Sequence, residues 1–157
     1  MANTETAKND TGSVDLDGYR YGCVAFNLRR ASRIVTRRYE EALRSLDMKA
    51  FQFTTLAALS TANTLPQRTI AKLFGMDPST ANRNIRAMTK KGWVEYTDDP
   101  NDGRKKHVSL TRAGREAFQK AVPFWEAAQR ESRALMRDYS WKDELSWLFA
   151  ISGEDPV

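Results

Sequence analysis

The chain is expected to be mostly α-helical with a small β-hairpin, an α+β fold. Three observations predict this. Between residues 64 and 111 the order is helix, tight turn, second helix, then two short strands around a polar turn. Segments with apolar residues at three- and four-residue steps flank this core on both sides. The excess of positive charge falls on the core rather than on the flanks.

Residues 1–18, MANTETAKNDTGSVDLDG, are polar and acidic, and they are expected to form a flexible tail. From residue 20 to 46, Val24, Leu28, Ala31, Val35, Tyr39, Ala42 and Leu46 trace one stripe of a long amphipathic helix. Arg29, Arg30, Arg33, Arg37 and Arg44 lie largely off that stripe. A short helix is expected over 50–62.

The next helix is read as TLPQRTIAKLFG, with Thr64 and Gln67 at capping-box spacing and Pro66 in its first turn. Gly75 and Met76 make the turn. Asp77-Pro78 restarts a helix as N-cap and first helical residue. That helix, STANRNIRAMTKKG, has Ala81, Ile85 and Met88 on its inner face. Ser79, Thr80, Asn82, Arg83 and Arg86 are left to look outward. The strands WVEYT and KHVSLT follow, joined by the turn DDPNDGR. Thr111 is placed to cap a helix running to about residue 139, with Pro123 expected to kink it. Ser140 and Asp143 have the spacing to cap a last helix, WKDELSWLFAIS.

Helix-turn-helix followed by a hairpin is the winged-helix pattern, whose second helix enters a DNA major groove. Charge agrees with that reading. The chain carries 25 Lys+Arg and 20 Asp+Glu, a formal +5. Residues 66–115 hold 11 basic and five acidic residues, or +6, so the remainder is −1. A positive excess confined to the reading lobe suits a phosphate backbone.

Other function classes find little support. No apolar run is long enough to cross a membrane, and no signal-peptide core opens the chain. A single cysteine, Cys23, excludes an intrachain disulfide and fits a reducing cytoplasm, the expected location. The one histidine, His107, is read as an exposed strand residue and completes no triad with Cys23. No set of Cys/His metal ligands, P-loop or dinucleotide fingerprint is present, so no catalytic residue, metal or cofactor is assigned. Phe118, Trp125, Trp141, Leu145, Trp147 and Leu148 are more apolar surface than lone C-terminal helices can hide, which suggests a homodimer.

Three stretches resemble the MarR family of bacterial transcription regulators. STANRNIRAMTKKGWVEY is similar to its recognition helix and first wing strand. DPNDGRKKHVSLTRAGRE is similar to its wing, and LRRASRIVTRRYEEAL to its first helix. The resemblance covers roughly residues 20–153. It implies a winged helix-turn-helix core with N- and C-terminal dimerisation helices. The domains would be the tail 1–18, an N-terminal dimerisation helix 19–48, a DNA-binding lobe 49–111 and C-terminal dimerisation helices 112–157.

By this resemblance the DNA-binding residues are Ser79, Thr80, Asn82, Arg83, Arg86, Asp102, Arg104 and Lys105. Arg104 would enter the minor groove, oriented by Asp102. Arg paired with guanine and Asn with adenine are the natural base contacts. Asn84 departs from the family's apolar residue and is read as a partly buried, hydrogen-bonded side chain. The resemblance also implies a pseudo-palindromic operator and a small-molecule effector. Phe26, Arg29, Arg30, Arg33 and Phe53 would suit an aromatic, anionic effector. One branch of the family senses peroxides through a cysteine that aligns with Ala25, two residues from Cys23. The reading is therefore a DNA-binding repressor released by a ligand. A redox regulator using Cys23, and a winged-helix protein–protein adaptor, are the alternatives.

Overall fold

The computed structural model describes residues 18, 20, 22–99, 106–135 and 146–153. The chain divides into two units, residues 1–35 and 36–157. Helix α1, Val24–Ala42, carries the chain from the first into the second. In the first unit, the Asn27 side chain donates to the carbonyls of Arg20 and Cys23, both at 3.0 Å, and so ties the start of α1 to the residues before it.

The second unit begins with the last turns of α1 and a 3-10 turn, Arg44–Leu46. Helices α2 (Ala50–Ala62), α3 (Gln67–Leu73) and α4 (Pro78–Lys90) follow, with strand β1 (Thr64–Pro66) between α2 and α3. Strands β2 (Val94–Asp98) and β3 (Lys106–Leu110) lead into α5 (Arg112–Ala134), and α6 spans Ser146–Ser152. All three strands form one antiparallel sheet in the order β1-β3-β2. Thr64 pairs with Ser109 and Pro66 with His107, while Val94 pairs with Leu110 and Asp98 with Lys106.

One sequence expectation changes here. Thr64 does not cap a helix: residues 64–66 form a strand, and α3 starts at Gln67 with no side-chain cap. The cause is Pro66, whose ring fixes φ and disfavours helical backbone at Leu65. The extended segment then satisfies the free edge of β3, and the expected hairpin becomes a three-stranded sheet. Helix α5 runs through Pro123 from Arg112 to Ala134, as one continuous helix of the kind the sequence predicts.

The punctuation of the other elements follows the sequence. Gly75 closes α3 at φ +56°, a left-handed conformation that glycine reaches without a Cβ penalty. Thr111 Oγ1 accepts from the Gly114 N–H at 3.0 Å and caps α5. Inside, Leu43, Leu56, Leu59, Ile70, Ile85, Met88, Val94 and Val108 are fully buried in one cluster. Phe53 stacks on Trp125, with centroids 5.3 Å apart and planes 15° apart, and also meets Phe118 at 5.3 Å. Tyr39, at the end of α1, packs against the same Trp125 and shares a hydrogen bond with the Gln129 side chain. Phe118 and Trp125 thus seat α5 on α2 and α1 instead of standing free, as the dimer argument from sequence had them.

The start of α5 is held unusually close to the segment before β2. A Cβ built on Gly114 would lie 1.9 Å from the Trp93 carbonyl oxygen and 2.8 Å from its carbon. That oxygen also accepts from the Thr111 N–H at 3.1 Å. Gly114→Ala is therefore expected to destabilise the fold by about 1–3 kcal/mol, although Ala in a free helix interior is favoured by about 1 kcal/mol. The midpoint of urea denaturation measures it. An unchanged midpoint would mean that the contact yields without cost.

Candidate nucleic-acid interface

Helix α4 is built to bury one side and offer the other. Ala81, Ile85 and Met88 recur at helical spacing and are all fully buried. The opposite face carries Ser79, Arg83, Arg86, Ala87 and Lys90, all exposed. Thr80, Asn82 and Asn84 sit on the flanks and are half-buried. Asp77 caps the helix, accepting from the Thr80 N–H at 2.9 Å, and Pro78 opens its first turn. The Arg83 guanidinium lies 3.5 Å from the Thr80 hydroxyl. The outward face therefore presents two guanidiniums and an ammonium on a rigid rod, a shape suited to a groove lined with phosphates.

The flanking side chains have protein partners. Asn84 Nδ2 lies 3.8 Å from Met76 Sδ, as a partly buried, hydrogen-bonded side chain should. The Tyr96 hydroxyl, on β2, donates to Asn82 Oδ1 at 3.2 Å. Tyr96 titrates above its usual value because it is desolvated, with nearby Arg86 opposing that shift. Nothing in the order of residues marked Tyr96 as a partner of α4. It becomes one only because β2 folds back over α4.

Lys91, next to Lys90 at the end of the helix, turns to a protein partner. In the structure Lys91 Nζ donates to Asp47 Oδ2 at 2.7 Å and to the Asp47 carbonyl, and lies 4.6 Å from the centre of the Trp93 ring. Asp47 adopts φ +47°, and its carboxyl is held below its usual value by the hydrogen bond and then the charge of Lys91. Lys91 thus clamps the end of the recognition helix to the turn that follows α1. Lys90 stays on the outer face.

At the base of the wing, Lys106 pairs with Asp98 across the strands. His107 is not the exposed residue expected from sequence. Its side chain is 19% exposed, with Nδ1 3.6 Å from Asp99 Oδ2. It is drawn inward because β3 is the central strand of the sheet rather than one side of a free hairpin. The wing residues Asp102, Arg104 and Lys105 lie outside the described residues. Of the residues read as ligand-binding, Arg29, Arg30 and Arg33 are exposed and Phe26 is half-buried. Phe53 is 4% exposed within the core of the second unit. Cys23 is a half-buried free thiol. Among the described residues no group of three metal-ligating side chains forms, and no helix is long and apolar enough to cross a membrane.

Removing Lys90 and Lys91 should have different effects. Lys90→Ala is expected to lower the salt slope of DNA binding by about one and to leave thermal stability unchanged. Lys91→Ala is expected to lower the melting temperature and leave the salt slope unchanged. Equal effects on both readouts would refute the clamp.

Acid should also act through the helix cap. Hydrogen bonds from the Thr80 side chain and backbone hold the Asp77 carboxyl below its usual value of 3.8. A carboxyl depressed in the fold contributes stability at neutral pH, and this is lost as pH falls through the folded value. Asp77→Asn, which still caps, is expected to flatten the loss of stability below about pH 4. Urea titrations from pH 7 to 3 would show it; identical curves for both proteins would sink the assignment.

Known proteins agree with this geometry. A MarR family sequence profile matches residues 46–105. The helix-turn-helix-type transcriptional regulator YwaE of Bacillus subtilis is 30% identical over 129 residues, covering 82% of this chain and 73% of that protein. The crystal structure of the transcriptional regulator MosR of M. tuberculosis in complex with DNA is similar at a TM-score of 0.75 and 31% identity, covering 83% of this chain and 94% of that one. CouR from Rhodococcus jostii RHA1, bound to p-coumaroyl-CoA, is similar at a TM-score of 0.73 and 25% identity, covering 86% and 95%. With the helix-turn-helix, the wing sheet and the flanking helices in family order, the chain belongs to the MarR family of winged-helix transcriptional regulators.

Proposed function

We propose that the protein is a homodimeric, sequence-specific repressor that a small effector releases from a pseudo-palindromic operator. The observation that carries the DNA reading is the outer face of α4, where Arg83, Arg86 and Lys90 stand exposed beside Ser79 while the inner face is sealed in the core. Ser79, Thr80, Asn82, Arg83 and Arg86 would meet base edges and phosphates, with Asp102, Arg104 and Lys105 at the adjacent minor groove. MosR, the similar regulator bound to DNA, supports this use of the face.

The dimer reading rests on apolar surface that stands exposed among the described residues. On α1, Val24 and Val35 of the predicted stripe are 59% and 42% exposed, and neighbouring Ile34 is 43% exposed. On the C-terminal side Leu135, Trp147 and Ile151 are 60%, 46% and 61% exposed. A second copy covering these surfaces would place two recognition helices about one turn of DNA apart. A dimer lying across two major grooves would block polymerase.

The effector reading rests on the exposed Arg29, Arg30 and Arg33 with Phe26 beside them, cationic groups suited to an aromatic carboxylate or its thioester. The complex of CouR with p-coumaroyl-CoA supports that class. Such a ligand releases DNA only by binding one spacing of the recognition helices better than another.

A quantitative gel-shift series on genomic fragments selected by the protein tests the proposal. Affinity should fall steeply between 50 and 200 mM salt, and Arg83→Ala should cost roughly 1–3 kcal/mol while relaxing base preference. Aromatic acids or their coenzyme A thioesters should release the operator. Release by peroxide that vanishes in Cys23→Ser, with no response to aromatic compounds, would favour the redox reading instead. Salt-independent or absent DNA binding would favour the adaptor.

A further inference from the structure

Tyr96 is the one side chain that reaches from the wing sheet into the flank of the recognition helix by a hydrogen bond among the described residues. Its ring packs on the core cluster, so the hydroxyl is delivered from a fixed platform. It donates to Asn82 Oδ1 at 3.2 Å. Asn82 lies one turn before Arg86 on the side of α4 nearest the wing, at the edge of the exposed face.

We propose that Tyr96 is a positioning residue that sets which base Asn82 reads. An Asn side chain selects adenine by turning both its oxygen and its NH2 to one base edge. Here the oxygen is turned towards β2 and engaged by the Tyr96 hydroxyl. The oxygen keeps a second lone pair, but this contact holds the amide turned towards β2, away from the orientation that brings oxygen and NH2 together to one base edge, so the NH2 would act alone on the groove. A donor acting alone pairs with acceptors, guanine O6 and N7, thymine O4 or adenine N7, and gains nothing from the amino groups of adenine and cytosine, so adenine loses the second bond that a two-sided Asn makes while guanine offers two adjacent acceptors. Asn82 would then favour a guanine or thymine edge over the adenine that an unconstrained Asn selects. The inference rests on the DNA-binding reading above and goes beyond it by naming how one base preference is made.

The experiment is selection of bound duplexes from a random DNA library by the full chain, with wild type, Tyr96→Phe, Asn82→Ala and the double variant side by side. Phe keeps the ring packing and removes only the hydroxyl. Wild type should enrich guanine or thymine at one position of each half-site. Tyr96→Phe should change preference at that position by roughly three- to tenfold, towards adenine. Asn82→Ala should erase the preference there, and adding Tyr96→Phe to it should change nothing more. A wild-type motif that survives intact in Tyr96→Phe overturns the inference alone. So does a loss of affinity spread equally over all sequences, which would mark Tyr96 as merely structural. A wild-type protein that enriches no motif overturns the DNA reading, and this inference with it.

Discussion

The backbone of Trp93 is where the reading helix, the wing and the long C-terminal helix are joined. Its N–H donates to the Met88 carbonyl at 3.1 Å and so finishes α4. Its carbonyl accepts from Thr111 N–H, and Gly114 packs directly against it. Its ring lies under the Lys91 ammonium, which in turn holds Asp47 after α1. Elements far apart in sequence thereby meet at one residue with little slack. A displacement of α5 or of the turn after α1 must be felt at the end of the recognition helix, because close-packed interiors transmit strain rather than absorb it.

In the proposed DNA-binding role, what α4 offers is the direction in which Arg83, Arg86 and Lys90 point. Ala81, Ile85 and Met88 fix the rotation of the helix about its axis by filling the core. The Asp77 cap fixes where the helix starts, and the Lys91 clamp fixes its end. A rigid rod of fixed rotation loses little entropy when it docks, so its charged contacts are not spent on ordering the helix.

Phe53 shows how an aromatic residue serves the frame rather than a ligand. Stacked on Trp125 and against Phe118, it fastens α2 to α5, and Tyr39 brings the end of α1 to the same tryptophan. The apolar residues left outside this cluster, such as Leu135 and Ile151, are the ones that stay exposed.

Much of the fold was legible in the order of residues, because its signals are local. Asp77-Pro78, Thr111 and Gly75 act within one helical turn, and the Ala81, Ile85, Met88 spacing declares a buried face without reference to any partner. The same locality made Arg83 and Arg86 readable as outward groups. What escaped was every feature whose partner is distant in sequence. Pro66 turned Thr64–Leu65 away from helix, but it was the edge of β3, more than forty residues later, that took the extended segment into a sheet. His107 went inward because that pairing made its strand central. Lys91 found Asp47 44 residues away, and Tyr96 found Asn82 14 residues back. Helical period and capping chemistry are properties of a short segment, and sequence alone determined those. Which cation becomes a clamp, which glycine must have no side chain and which tyrosine touches the reading face are decided by approaches between segments. Only the tertiary structure sets those distances.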